Sequence, residues 1–318
     1  MDGLAALRAW SELVPGARSA EAIELLQRRK KSTVLRLTGL DCADGPVIAK
    51  RCKDRIAVVE RQLYEDVLPR LPVTSLRYFG SVPDQQEGFT WLFVEDAGRA
   101  QLSKTDRRHR RLAARWLATL HGTSSELPDL ASLPDRGPAH YLEALAAARA
   151  RLVQGIENPA AGRAGVALLE SLVDRCDAIE EGWPTLEELC EGFPRTLVHG
   201  DFVPKNVRIR PTGPDGAHLE LLPLDWETAG VAVAGVDLEH VDLEAYRIAI
   251  REWHGDFSRD EIRRLALAGQ LLRWIVALSW ESHSVTYDWV ETPLPVEIHA
   301  ERLATLGALT GVTVRAGS

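Results

Sequence analysis

Alternation of apolar and polar residues dominates the first ninety-odd positions of this chain. An amphipathic stretch from Leu4 to Val14 comes first. Ile23 to Gln27, Thr33 to Leu40 and Val47 to Cys52 then carry the period of two expected of strands, the latter two joined by a turn at Asp41 to Gly45. Between Arg55 and Leu68 the period lengthens: Ile56, Val59, Leu63 and Val67 share one helical face, and Pro69 stands just beyond. Arg77 to Val82 and Phe89 to Glu95 return to strand around a turn at Pro83 to Gly88. The pattern predicts a five-stranded antiparallel sheet with one inserted helix.

After Asp96-Ala97-Gly98 the spacing becomes helical. Leu112, Trp116, Leu117 and Leu120 fall at that spacing within Thr105 to His121, and further helices are predicted over 138–154, 160–182, 259–281 and 295–308. One β segment interrupts them. Val207-Arg208-Ile209-Arg210 and Leu219-Glu220-Leu221-Leu222 read as a hairpin closed by the Pro- and Gly-rich stretch Pro211 to His218. The expected class is α+β, with a small β-rich domain at 1–96 and a larger, mostly helical domain at 97–318. A chain of 318 residues, 45% hydrophobic, can bury two such cores.

Charge narrows the range of partners. A net charge of −8 argues against nucleic acid. The arginine-rich Arg107 to Arg111 run opens an amphipathic helix and reads as a solvated face. No apolar run approaches the ~20 residues of a membrane helix. Met1 to Pro15 lacks the features of a signal peptide, so cytoplasmic residence is expected. Cys42, Cys52, Cys176 and Cys190 form no CxxC pair and read as reduced, structural thiols. The first 96 residues balance 14 Lys+Arg against 14 Asp+Glu, so the whole −8 falls on the remainder. That excess either keeps the chain soluble or draws a cationic acceptor towards the larger domain. Arginine fills 32 of the 38 basic positions, which makes single arginines uninformative and the scarce lysines telling. Oligomeric state leaves no signal in the pattern.

The chemistry concentrates in His199-Gly200-Asp201-Phe202-Val203-Pro204-Lys205-Asn206 and the return to Leu224-Asp225-Trp226. Phosphoryl transfer asks a protein to hold metal ions against phosphates and to aim a hydroxyl in line. Asn206 and Asp225 offer the oxygen ligands that Mg²⁺ prefers, and Asp201 can accept the proton of the incoming hydroxyl. The hairpin brings Asp225 back near Asn206. A second copy of the first four letters, His254-Gly255-Asp256-Phe257, has Glu261 where Asn would be required. Its continuation, Ser258 to Glu261, reads as a capping box that opens a helix.

Taken in order, Val47-Ile48-Ala49-Lys50, Glu60, Phe93-Val94-Glu95-Asp96, His199 to Asn206, Leu224-Asp225-Trp226-Glu227 and Asp237-Leu238 resemble the aminoglycoside phosphotransferase and choline kinase superfamily over about residues 20 to 285. The resemblance implies a protein-kinase-like bilobal fold and an ATP- and Mg²⁺-dependent enzyme. Lys50 would bind the α and β phosphates and Glu60 would pair with it, Glu65 being the alternative partner. Independently, a lysine ending an apolar strand is costly to bury without a carboxylate. Glu95 to Ala97 would hold adenine through main-chain groups, with Glu95 and Ala97 at its edges. His199 would orient the catalytic loop and Asp237 would brace it.

Departures from the pattern shape the rest. No GxGxxG precedes Lys50; Arg28-Arg29-Lys30-Lys31-Ser32-Thr33 stands in its place, where Ser32 and Thr33 could serve an anion or the basic run could be a solvated turn. Eleven residues between Asp225 and Asp237 are too few for a protein-kinase activation segment, so the expected acceptor is a small molecule. Trp274, Trp280, Glu281 and Tyr287, with Trp289 and Asp288, suit an amine or quaternary ammonium through cation–π attraction; the indoles equally suit core packing. The C-terminus from Gly311 lacks the acidic, aromatic ending of kanamycin-type enzymes. The reading is therefore an O-phosphotransferase for a hydroxyl of an aminoglycoside-like or other amine-containing compound. A choline, ethanolamine or sugar kinase is the alternative. A catalytically silent nucleotide-binding protein is the reading of another class, opposed by the full set of Lys50, Asp201, Asn206 and Asp225.

Overall fold

The structure, a computed structural model, describes residues 2–16, 20–29, 32–40, 43–214, 216–287 and 296–311. Lys30, Lys31, Cys42, Asp288, Trp289 and the C-terminal residues from 312, all singled out from sequence, lie outside them, as do the first residues of the expected 41–45 turn. In chain order the first elements are α1 (Asp2–Leu13), β1 (Ala22–Arg29), β2 (Ser32–Thr38), β3 (Val47–Lys53), α2 (Asp54–Gln62), β4 (Tyr78–Pro83) and β5 (Phe89–Glu95). Next come α3 (Arg107–Ser124), α4 (Pro138–Ile156), α5 (Gly162–Glu181), α6 (Trp183–Glu191), β6 (Arg195–Val198), β7 (Val207–Thr212), β8 (His218–Pro223) and β9 (Gly230–Val233). Helices α7 (Leu243–His254), α8 (Arg259–Glu281) and α9 (Glu297–Thr310) follow.

Contacts divide the chain into two compact units. The first runs to Trp116 and takes in Val203–Thr228; the second comprises Leu117–Phe202 and the chain from Ala229 onward. The division is thus not a single cut after residue 96. Past that point the strand residues Val207 and Ile209 are hydrogen-bonded to the 100–102 segment, Leu102 N–H to the Val207 carbonyl (3.0 Å) and Ile209 N–H to the Ala100 carbonyl (2.9 Å). The hairpin thereby joins the N-terminal unit.

In the first unit the five strands run antiparallel in the order β1-β2-β3-β5-β4. Alternation gives the sheet two apolar faces. Leu35, Leu37, Val47, Ala49, Trp91 and Phe93 form a core with Ala6, Ala9 and Trp10 of α1. The Trp10 ring meets Phe93 edge-on at 5.3 Å, which explains why the amphipathic N-terminal stretch docks here. The helix predicted to Leu68 is α-helical to Gln62 and continues as a wider turn over Leu63–Val67. Pro69 offers no N–H, and the terminal carbonyls are met by bonds such as Leu68 N–H to Leu63.

The second unit is mostly helical, with α4 against α5 and α8, and α8 against α9. Two features escaped the pattern reading. A short antiparallel pair, β6 with β9, carries the chain into His199, and helices α6 and α7 fill intervals left unassigned. Asp242 caps α7 by accepting the Ala245 N–H (3.0 Å). The capping box at Ser258 and Glu261 is present as expected, so the second HGDF is the approach to a helix.

Helix α8 lies directly on the Ala234–Asp237 turn. A Cβ added at Gly269 would fall 1.9 Å from the Gly235 carbonyl carbon and 2.3 Å from the Val236 nitrogen, both backbone atoms that cannot swing aside. Replacing Gly269 by Ala should therefore lower unfolding stability by about 1–3 kcal/mol, the usual cost of overpacking. Denaturant titration checks this; an unchanged midpoint would show that the helix has room to move away.

Candidate active site

The first unit encloses a cavity of about 510 Å³ beneath the sheet face opposite α1. Val34, Ile48, Leu92 and Val94 supply apolar walls, as strand alternation demands of residues out of step with the α1 core. Lys50 sits on the same face, paired across the ladder with Val34 and Leu92. Its ammonium contacts two carboxylates, Glu60 of α2 and Asp225. The rival Glu65, five residues on and on another face of the helix, pairs with Arg61 (3.8 Å) and is half exposed. Burial works to discharge Lys50, but Glu60 and Asp225 outweigh it and hold the ammonium well above its ordinary range. Burial lifts the Glu60 carboxyl to about 7 against the opposing pull of Lys50.

Asn206 and Asp225 also line the cavity. The Leu224 N–H donates to the Asn206 carbonyl (2.9 Å), so pairing of β7 with β8 sets the two residues' main chains side by side. Asp225 has φ 67°, the one left-handed non-glycine among the described residues. An amide and a carboxylate oxygen form a hard donor pair that fits Mg²⁺, which keeps water and phosphate for its other positions. No group of three or more His, Cys, Asp or Glu suited to a metal occurs among the described residues, in keeping with so sparse a donor set.

Ser32, Glu95 and Ala97 line the cavity, whereas Thr33 does not. Thr33 follows Ser32 along β2 and so turns to the opposite face, where it is 6% exposed. Glu95 is fixed on both sides: its N–H donates to the Arg77 carbonyl (2.9 Å) and its carboxylate accepts from Arg210 (3.1 Å). Asp96 accepts from Arg36 Nε (2.6 Å) and from the Gly98 N–H (2.9 Å). Arg36 was passed over because arginines are abundant in this chain. Its inward position in the β2 alternation was the available signal.

In the second unit the loop after β6 is held by its main chain. The two oxygens of buried Asp237 accept the N–H groups of His199 (2.7 Å) and Gly200 (2.9 Å). Gly200, at φ 79°, supplies the turn that aims both donors at one carboxylate. His199 in turn accepts the Asp201 N–H at Nδ1 (3.3 Å). Buried His121 lies with Nδ1 3.0 Å from the Tyr246 hydroxyl and Nε2 3.5 Å from Asp237. Asp201 is 9% exposed, and Arg273, ion-paired with Glu239, places Nη1 3.8 Å from its Oδ1. Sequence reasoning missed His121, Glu239 and Arg273.

The four candidate acceptor residues differ in their contacts and exposure. Trp274 packs edge-on against buried His299 of α9 (5.1 Å), and a Glu281 carboxylate oxygen lies 2.8 Å from Nε2 of that same imidazole. Trp280 and Tyr287 are about half exposed, at 50% and 48%. Trp274 and Glu281 thus serve the α8–α9 packing.

The model of the phosphotransferase enzyme family matches residues 49–274. The chain belongs to that family. As a phosphotransferase it acts on hydroxyl acceptors. Among solved structures, aminoglycoside 2'-phosphotransferase-IIIa in its GDP complex is 14% identical, covering 97% of this chain and 99% of that one with a TM-score of 0.65. Choline kinase from Cryptosporidium parvum Iowa II is 12% identical over 95% of each chain, with a TM-score of 0.60. Plasmodium vivax ethanolamine kinase is 14% identical over 93% of this chain and 84% of that one, with a TM-score of 0.57. These likenesses establish the kinase-like α+β fold. No curated protein sequence matches.

The buried lysine of this phosphotransferase leaves a pH signature. Folded Glu60 keeps its proton to about pH 7, whereas the unfolded carboxyl loses it near 4.5, so stability falls as pH rises through that window. Lys50, raised above 10.5, contributes stability that is fully present throughout the window and adds no slope. In nucleotide-free protein with chelator, thermal midpoints of wild type relative to Glu60→Gln should decline from pH 5 to 7 and level off above. A flat difference would mean that Glu60 is ionised across the range.

Proposed function

We propose that the protein is an ATP- and Mg²⁺-dependent O-phosphotransferase for a small hydroxyl-bearing molecule. The observation that carries this reading is the cavity in which Lys50 is ion-paired to both Glu60 and Asp225, with Asn206 on the same wall. The apolar walls suit a purine, and the Glu95 and Ala97 main chain borders them with hydrogen-bonding groups. Lys50 neutralises phosphate oxygens, with Ser32 as a further donor. Asn206 and Asp225 hold Mg²⁺, which when bound offsets the charge of the phosphates.

Asp201 orients the acceptor hydroxyl and takes its proton as the new O–P bond forms and the bond to the β-phosphate oxygen breaks. Asp237 keeps the 199–201 main chain in place, and His199 supports the Asp201 amide. Neither touches substrate. The eleven residues between Asp225 and Asp237 leave no long segment for docking a peptide, which favours a small acceptor. Solved relatives of this fold include aminoglycoside, choline and ethanolamine kinases, and a cationic hydroxyl compound suits the acidic balance of the chain.

Calorimetry should detect ATP binding that depends on Mg²⁺. ADP release measured against a panel of choline, ethanolamine, sugars and aminoglycosides should then identify the acceptor. Asp201→Asn should lower turnover by about 10²–10⁴-fold, the usual worth of a general base, with ATP affinity nearly unchanged. Turnover retained in that variant would remove Asp201 from its assigned role.

A further inference from the structure

We propose that Arg273 is a positioning residue for Asp201, with Glu239 as its anchor; the inference rests on the reading of Asp201 as proton acceptor. Asp201 stands on a loop whose main chain is fixed through Asp237 and His199. Those bonds act on the loop's main chain rather than on the carboxylate. Arg273 brings a fixed charge to it from a different element. Its Nη1 lies 3.8 Å from Asp201 Oδ1, with the two side chains 14% and 13% exposed. At that separation the guanidinium attracts one oxygen without occupying its lone pairs as a hydrogen bond would. The carboxylate stays oriented and still able to accept a proton.

The arrangement is anchored from several sides. Glu239 holds the other arm of the guanidinium and keeps it from closing onto Asp201, while the Trp274 ring lies 5.4 Å from its carbon. Glu239 follows two residues after Asp237, the carboxylate that holds the loop's main chain. On α8, Gly269 and Arg273 are four residues apart and share a face. Gly269 lets that face rest on the Asp237 turn, and one turn later Arg273 reaches the base. Backbone brace, anchor and cation thus belong to one packed unit. Arg273 Nε is also buried with no hydrogen-bond partner among the described residues. A guanidinium retained for stability alone would satisfy that donor; leaving it unmet points to placement of the charge.

The test compares Arg273→Ala, Arg273→Lys and Asp201→Asn in the full chain. It measures ADP release with the panel acceptor that turns over fastest, or with water where none exceeds hydrolysis. Arg273→Ala should lower kcat by about a hundredfold, as for a reacting group misplaced by roughly an ångström, while KM for ATP changes less than about twofold. Soluble guanidinium should restore part of that loss, and Arg273→Lys should fall between wild type and Ala. A kcat within about twofold of wild type in Arg273→Ala, or a loss that neither guanidinium nor Lys relieves, overturns the inference. Asp201→Asn separates the two claims. Turnover surviving there sinks the base assignment itself, whereas an inactive Asp201→Asn beside a fully active Arg273→Ala sinks the positioning role alone.

Discussion

One buried ammonium organises the first unit of this molecule. Lys50 is placed on the inner face of β3 by the same alternation that sends Val47 and Ala49 into the α1 core. A cation there needs carboxylates, and it has two, from Glu60 and Asp225. The requirement fixes the face that α2 presents to the sheet. It also fixes where the turn after β8 must end. A single residue on a strand therefore specifies the placement of a helix whose carboxylate lies ten residues on, and of a loop 175 positions further along the chain.

The second unit solves a different problem with a different device. Its loop at 199–201 must hold a shape that no strand or helix imposes. Asp237 does this by accepting consecutive main-chain N–H groups with separate oxygens, an arrangement insensitive to the identity of the side chains it supports. Burial of Asp237 beside His121 and Tyr246 makes the brace rigid. Ion pairing positions Lys50, and backbone hydrogen bonding positions the loop that carries Asp201.

The parts legible in the sequence are those where chemistry fixes residue type and spacing together. Five strands, the inserted helix and the 207–222 hairpin followed from periodicity, because each buries one face against a defined neighbour. Glu60 could be preferred to Glu65 but not separated from it, since the choice depends on which helix face meets the sheet. Thr33 was grouped with Ser32 by type, yet a one-residue step along a strand reverses direction. Arg273 and Glu239 were invisible for another reason. Their roles arise from packing of α8 on the 234–237 turn, a contact between segments more than thirty residues apart that no local pattern announces. Aromatics at helical spacing suit a pocket and a helix interface equally, and the Trp274 ring meets His299 of α9.

The strain at Asp225 ties the lysine to the proposed metal. A non-glycine residue in the left-handed region costs about 1–2 kcal/mol, less for Asp than for most side chains. That conformation persists where its surroundings over-determine it. Here the ladder hydrogen bond at Leu224 fixes the preceding residue and Lys50 fixes the carboxylate. Once Glu60 ionises above about pH 7, one ammonium faces both Glu60 and Asp225, and Glu227 also lines the cavity. Those carboxylates would repel a polyphosphate arriving alone. A divalent cation held by Asp225 and Asn206 would reverse the balance and leave Lys50 free to turn towards phosphate. On the proposed function, the strained aspartate beside Lys50 makes physical sense as a place for metal and nucleotide to enter together.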